Sequence, residues 1–249
     1  MGIAWKILLG ILGTAVGVIL LFLLVILVSS LFISKKKEYK TKSIFCEKLM
    51  NFVTGLLVKV FRVKLETTGM ELLPEQGQRF LYASNHRSNF DPVFTRFVFR
   101  KHDLAFISKP ANFKIPIVGK FIHRCGFLEI DRENPRNSMK TLLKAIEYLK
   151  ADKGSMGVYP EGTRQKEGEE MLPFHDGVFK IALKANVPVV VSAVAGTEKV
   201  SKNFPWKRTV VHIDVVGVIY PKEGETSHDI AEQAREMIDK RLKELSFKN

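Results

Sequence analysis

Two short segments carry side chains able to do chemistry together. In Asn85-His86-Arg87-Ser88-Asn89-Phe90-Asp91-Pro92 an imidazole precedes a carboxylate by five residues. A carboxylate that accepts the imidazole's Nδ1–H fixes the tautomer, so that Nε2 faces outward as a general base. The alternative is that Asp91 only caps a helix and His86 is incidental, since Asp suits an N-cap and Pro92 the first turn. The second segment is Val158-Tyr159-Pro160-Glu161-Gly162-Thr163-Arg164, which leaves an apolar run through Pro and Gly into a polar loop. Arg164 offers a planar fork for a phosphate, Gly162 lets backbone approach closely and Thr163 adds a hydroxyl donor. The alternative there is a surface turn with a solvated arginine. Other familiar chemistries have no motif in the chain: no phosphate-binding Gly-x-x-x-x-Gly-Lys, no Gly-x-Gly-x-x-Gly, no Gly-x-Ser-x-Gly, no His-Glu-x-x-His and no Cys-x-x-Cys. The other histidines, His102, His123, His175, His212 and His228, lack such neighbours and are expected to be structural.

The elements around these segments must hold them at one edge of a fold. Short apolar runs at 79–84, 104–108, 156–159, 187–194 and 209–218 read as buried strands. Between them, 137–150 places Met139, Leu142, Leu143, Ile146 and Leu149 on one helical stripe, and 174–185 and 230–245 are further amphipathic helices. Strands alternating with helices predict an α/β domain with a mainly parallel sheet flanked by helices. His86 then falls at the C-terminal end of a strand, where sites in such sheets gather.

Together the two segments resemble the lysophospholipid acyltransferases of the 1-acylglycerol-3-phosphate acyltransferase (PlsC) family, on Asn-His-x-Ser-x-x-Asp followed by Glu-Gly-Thr-Arg. Two intervening stretches share in the resemblance. One is Ser108-Lys109-Pro110 through Ile115-Pro116, and the other is Gly126-Phe127-Leu128-Glu129-Ile130-Asp131-Arg132. The likeness covers about residues 80–195. It departs from the family in Val187-Pro188-Val189-Val190-Val191-Ser192, which lacks a second proline.

The resemblance implies a glycerol-phosphate acyltransferase-like fold. It also implies transfer of an acyl chain from a thioester donor, acyl-CoA or acyl carrier protein, to the sn-2 hydroxyl of 1-acyl-glycerol-3-phosphate. His86 and Asp91 would be catalytic. Arg164, with Gly162 and Thr163 beside it and with Lys109 and Arg132, would hold the acceptor phosphate. Glu161 would orient that basic cluster or bind the glycerol, and Asn85 and Ser88 would shape the turn. No metal or cofactor is implied. The alternatives are the same chemistry on another lysophospholipid, or a non-catalytic lipid-binding protein.

Composition sets the surroundings. With 249 residues, 46% of them apolar and 26% charged, the chain holds one globular domain plus an appendage, and disorder and fibrous repeats are excluded. Cys46 and Cys125 cannot make a disulfide framework or a four-cysteine zinc site, which fits a reducing compartment or one where redox state is immaterial. The net charge of +13 is unevenly placed: residues 35–64 carry nine basic and two acidic side chains, directly after the uncharged, apolar residues 7–33. A nucleic-acid binder more often places its basic face within the folded domain, so this pattern points to a membrane surface and not to nucleic acid.

Residues 7–33 are too long an apolar core for a cleaved signal peptide, and Val28-Ser29-Ser30 is a poor cleavage site. They are expected to span a cell membrane once. The lysines after them, Lys35, Lys36, Lys37, Lys40 and Lys42, predict a domain on the cytoplasmic face. Apolar positions recur at helical spacing over 43–64 with a basic polar face, which predicts an interfacial helix on anionic lipid, against the alternative of a helix packed on the domain. The expected organisation is an anchor at 1–34, a basic amphipathic helix at 35–64 and an acyltransferase domain at 65–249. Trp5 reads as an interfacial aromatic and Trp206 as a packing one.

Overall fold

A computed structural model describes residues 2–39, 41–166 and 170–246. Seven strands form one sheet: β1 (Val63–Glu66), β2 (Leu81–Ser84), β3 (Ala105–Ser108), β4 (Leu128–Glu129), β5 (Met156–Val158), β6 (Val189–Ala195) and β7 (Thr209–Ile219). Their order is β1-β7-β6-β2-β5-β3-β4, and every neighbouring pair is parallel except β6 and β7. All four residues of β2 are buried, as are six of the seven in β6, so these central strands are apolar on both faces and show no alternation.

Nine α-helices join and flank the strands among the described residues: α1 (Ile3–Leu31), α2 (Ile44–Val60), α3 (Asp91–Val98), α4 (Pro110–Lys114), α5 (Val118–Arg124), α6 (Pro135–Lys150), α7 (Lys180–Ala185), α8 (Val200–Asn203) and α9 (Ser227–Ser246). α6 begins two residues before the expected start at 137, because the Asn134 side chain accepts from the N–H groups of Arg136 and Asn137 and Pro135 occupies the first turn. The helix expected over 174–185 is split. Residues Asp176–Phe179, which include Gly177, make a 3₁₀ turn, and the α-helix proper starts at Lys180.

α1 is 29 residues long, about 43 Å at 1.5 Å per residue, and exceeds a hydrocarbon core of about 30 Å. Its apolar side chains face outward along its length. Its C-terminal end is seated on the domain: Lys120 Nζ donates to the Ser30 carbonyl at 2.8 Å and Lys35 Nζ to the Phe113 carbonyl at 3.1 Å. Lys42 pairs with Asp103 at 3.2 Å, Lys36 and Lys37 remain exposed, and Lys40 lies outside the described residues.

α2 packs on the domain along one side and leaves apolar residues exposed along the other. Its inner side packs on the domain, with Cys46, Glu47 and Thr54 buried and the Glu47 carboxylate paired with the Arg96 guanidinium. Its outer side exposes Ile44, Phe45, Phe52, Leu56 and Val60. The helix ends earlier than its periodicity suggests. Arg62 takes φ +54° and residues 63–66 turn into β1, whose pairing with β7 overrides the helical pattern. Trp206 is not a packing residue: it is 84% exposed.

Candidate active site

β2, β3, β4, β5 and β6 all run the same way, so their C-terminal ends deliver five loops to one edge of the sheet. Those loops carry His86 after β2, Lys109 after β3, Arg132 after β4, Glu161 to Arg164 after β5 and Thr197 after β6. Asn85 pins the first loop to β6: its Nδ2 donates to the Val194 carbonyl at 2.9 Å and its Oδ1 accepts from the Val194 N–H at 2.8 Å.

Asp91 is fully buried, and Phe90 takes the N-cap position expected for it. From the first turn of α3 its carboxylate folds back over the loop. Oδ2 accepts from the backbone N–H groups of Arg87 at 2.7 Å and Ser88 at 2.8 Å, and from His86 Nδ1 at 2.7 Å. Oδ1 accepts from Thr197 Oγ1 at 2.5 Å. An ionised carboxylate only accepts, so the proton of this pair sits on His86 Nδ1 and leaves Nε2 with its lone pair. The imidazole stacks on Tyr159 with centroids 4.2 Å apart, and Tyr159 stacks in turn on Phe106 at 5.4 Å. Burial holds the Tyr159 phenol well above its ordinary range, so it stays neutral.

The second segment grips the first. Glu161, 3% exposed, accepts the His86 backbone N–H on Oε1 at 2.6 Å and the Leu172 N–H on Oε2 at 3.0 Å, and the Gln165 N–H donates to the His86 carbonyl at 2.8 Å. Each carboxylate oxygen thus accepts a backbone N–H, and Glu161 ties the His86 loop to the segment at Leu172. Burial raises its pKa above the usual glutamate range. Gly162 has φ +73°, and a Cβ there would lie 2.9 Å from the His175 ring. His175 therefore belongs to the wall of this loop. Thr163 and Arg164 are exposed at the rim.

A cavity of about 630 Å³ opens at this edge. His86, Lys109, Arg132, Gly162, Thr163 and Arg164 line one part of it. The rest is mostly apolar, walled by Leu49, Met50 and Val53 of α2, Val93 of α3, Phe121 of α5 and Ile26 of α1, with Thr54, Asn89, Arg96, Ser108 and Asn112 among them. Desolvation lowers the pKa of Arg132, which remains a cation. Asp91 and Glu161 stand behind the wall, each hydrogen-bonded to His86. The sequence motifs gave Tyr159 no role, although it stands in the second segment, and did not include Thr197 or the α2 wall. Thr197 has no spacing signal, and α2 ends twenty-five residues before the nearest motif residue, Asn85.

A family model described as acyltransferase matches residues 64–195, more than half of the chain. The chain belongs to the acyltransferase family. Among curated relatives of this acyltransferase, the chloroplastic 1-acyl-sn-glycerol-3-phosphate acyltransferase BAT2 of Brassica napus is 33% identical over 176 residues, 70% of this chain and 50% of that protein. The 1-acyl-sn-glycerol-3-phosphate acyltransferase of Haemophilus influenzae is 27% identical over 198 residues, 77% of this chain and 79% of that protein. The match thus spans half the length of the Brassica relative. The crystal structure of PlsC from Thermotoga maritima shares the fold, with a TM-score of 0.64 at 22% identity over 91% of this chain and 89% of that one.

Proposed function

We propose that the chain transfers an acyl group from a thioester donor, acyl-CoA or acyl carrier protein, to the sn-2 hydroxyl of 1-acyl-glycerol-3-phosphate, giving phosphatidic acid. The observation that carries this reading is one cavity lined by a carboxylate-oriented imidazole, by the cations Lys109, Arg132 and Arg164, and by a largely apolar wall. The relatives named for this activity support it.

In the proposed reaction Lys109, Arg132 and Arg164 hold the acceptor phosphate and so fix the hydroxyl beside His86. His86 Nε2 takes the hydroxyl proton as the oxygen bonds to the thioester carbonyl carbon. Collapse of the tetrahedral adduct breaks the carbon–sulfur bond, and the thiolate leaves with the proton from the imidazolium. Asp91 keeps Nδ1 protonated and balances the imidazolium charge. The donor's acyl chain lies along the apolar wall.

The same reading places α1 across a cell membrane as a single span, with the domain on the cytoplasmic face and Lys36 and Lys37 near anionic headgroups. Its substrates then reach the cavity from the leaflet. Incubating purified protein with a thioester donor and a panel of lysophospholipids tests the reaction by thiol release. Release that needs 1-acyl-glycerol-3-phosphate supports the assignment. Release with another lysophospholipid alone moves it to that acceptor, and none with any acceptor rejects it.

A further inference from the structure

The loop at residues 204–208 exposes every one of its side chains, among them Phe204 at 38% and Trp206 at 84%. It is not loosely attached. Arg62 Nη1 donates to the Pro205 carbonyl at 2.9 Å and to the Trp206 carbonyl at 3.4 Å, and the Lys207 N–H donates to the Asn203 carbonyl at 2.7 Å. A braced backbone therefore presents the indole to the outside, with no aromatic ring against it among the described residues.

The placement of this loop names its partner. Phe204 lies 4.9 Å from Phe61, the residue that closes α2, and Phe61 lies 4.7 Å from Phe90 in the loop that carries His86. The exposed row of α2 runs from Ile44 to Val60 towards that junction, and midway along it Phe52 meets Phe22 of α1 at 5.4 Å. Apolar contacts therefore lead from the hydrophobic helix at Phe22, through Phe52 and the exposed Leu56 and Val60, to Phe61 and Phe204, two residues before Trp206. Exposed cations border their far end: Lys59, Arg62, Lys199, Lys207 and Arg208. The nearby carboxylates are already engaged, Glu66 by Lys64 at 2.6 Å and Glu198 by Arg87 at 3.5 Å. An indole beside cations, at the end of apolar contacts that start on a membrane-length helix, matches the boundary between acyl chains and anionic headgroups.

We propose that residues 204–208 form a second point of membrane contact, with Trp206 seated in the headgroup region of an anionic bilayer at the C-terminal end of α2. α2 is then held along the bilayer by α1 against its middle and by this loop at its C-terminal end, and the cavity mouth beside His86 is kept at the lipid surface. This docking does not depend on the reaction assigned above.

Trp5 and Trp206 are the two tryptophans, so Trp5→Phe leaves Trp206 as the sole indole. The full chain carrying that change is placed in nanodiscs of phosphatidylcholine and phosphatidylglycerol, where both faces are open to solutes. The expected result is blue-shifted emission, quenching by lipids brominated near the glycerol and little quenching by iodide. Emission of a hydrated indole quenched by iodide, or quenching by neither probe, overturns the proposal. So does an emission shift that disappears when the protein is diluted at constant lipid, which would seat a second copy of the chain on the loop.

Discussion

Thr197 Oγ1 donates to Asp91 Oδ1 at 2.5 Å, with both residues wholly buried. The carboxylate that orients His86 is therefore held from β6 as well as from its own loop. Thr197→Val leaves that oxygen unpaired, at a cost of about 1–3 kcal/mol to folding. With less of its charge drawn off, Asp91 favours the imidazolium more strongly. We expect kcat to fall about tenfold and the acid limb of the kcat/KM profile to move to higher pH, with Thr197→Ser restoring both. An unmoved limb would show Thr197 to be a packing residue only.

His86→Ala removes the proposed base and should cut turnover about a hundredfold or more, while thermal melting stays near that of the parent. A protein that only binds lipid would show equal lysophospholipid binding in parent and variant and no thiol release from either.

Arg164 stands exposed at the cavity rim and makes no ion pair among the described residues. Arg164→Ala should raise KM for the phosphorylated acceptor about tenfold, as for loss of a charge-assisted hydrogen bond, with kcat less affected. Steady-state kinetics with each substrate varied in turn decide this. An effect confined to the thioester would refute the phosphate role.

Glu161 gives a pH signature. Its pKa is raised in the fold, mainly by burial, so the folded state takes up a proton more readily than the unfolded chain. Its ionised form is thus a cost above the folded-state pKa, and that cost fades as pH falls towards the unfolded value. Glu161→Gln cannot titrate. The Tm of the parent minus that of the variant should grow as melts are taken from neutral pH towards the ordinary glutamate range, and a constant difference would contradict the assignment.

Much of the site was legible because its chemistry is local. His86 and Asp91 sit in one turn, and the Pro160–Gly162 loop declares itself by residue types that leave few backbone choices. The strands showed as apolar runs, and α1 by unbroken hydrophobicity. What stayed hidden depends on partners distant in the chain. Glu161 reads as a charged loop residue, yet burial turns its carboxylate onto the His86 and Leu172 backbone. Residues 63 and 64 close a helical pattern and become strand only because β7 lies alongside.

By itself the amino-acid order determined which groups are present and which local shapes they favour: the imidazole and its carboxylate, the guanidinium loop, the alternating elements and the hydrophobic helix. Those follow from side-chain chemistry and short-range backbone preference, which need no knowledge of the rest of the chain. Only the tertiary structure decided that five parallel strands end at one edge, that Thr197 and Glu161 brace the His86 loop from opposite sides, and that α2 walls the cavity and leaves its outer row bare. Each is a contact between residues far apart in sequence, set by which surfaces are buried together when the sheet closes.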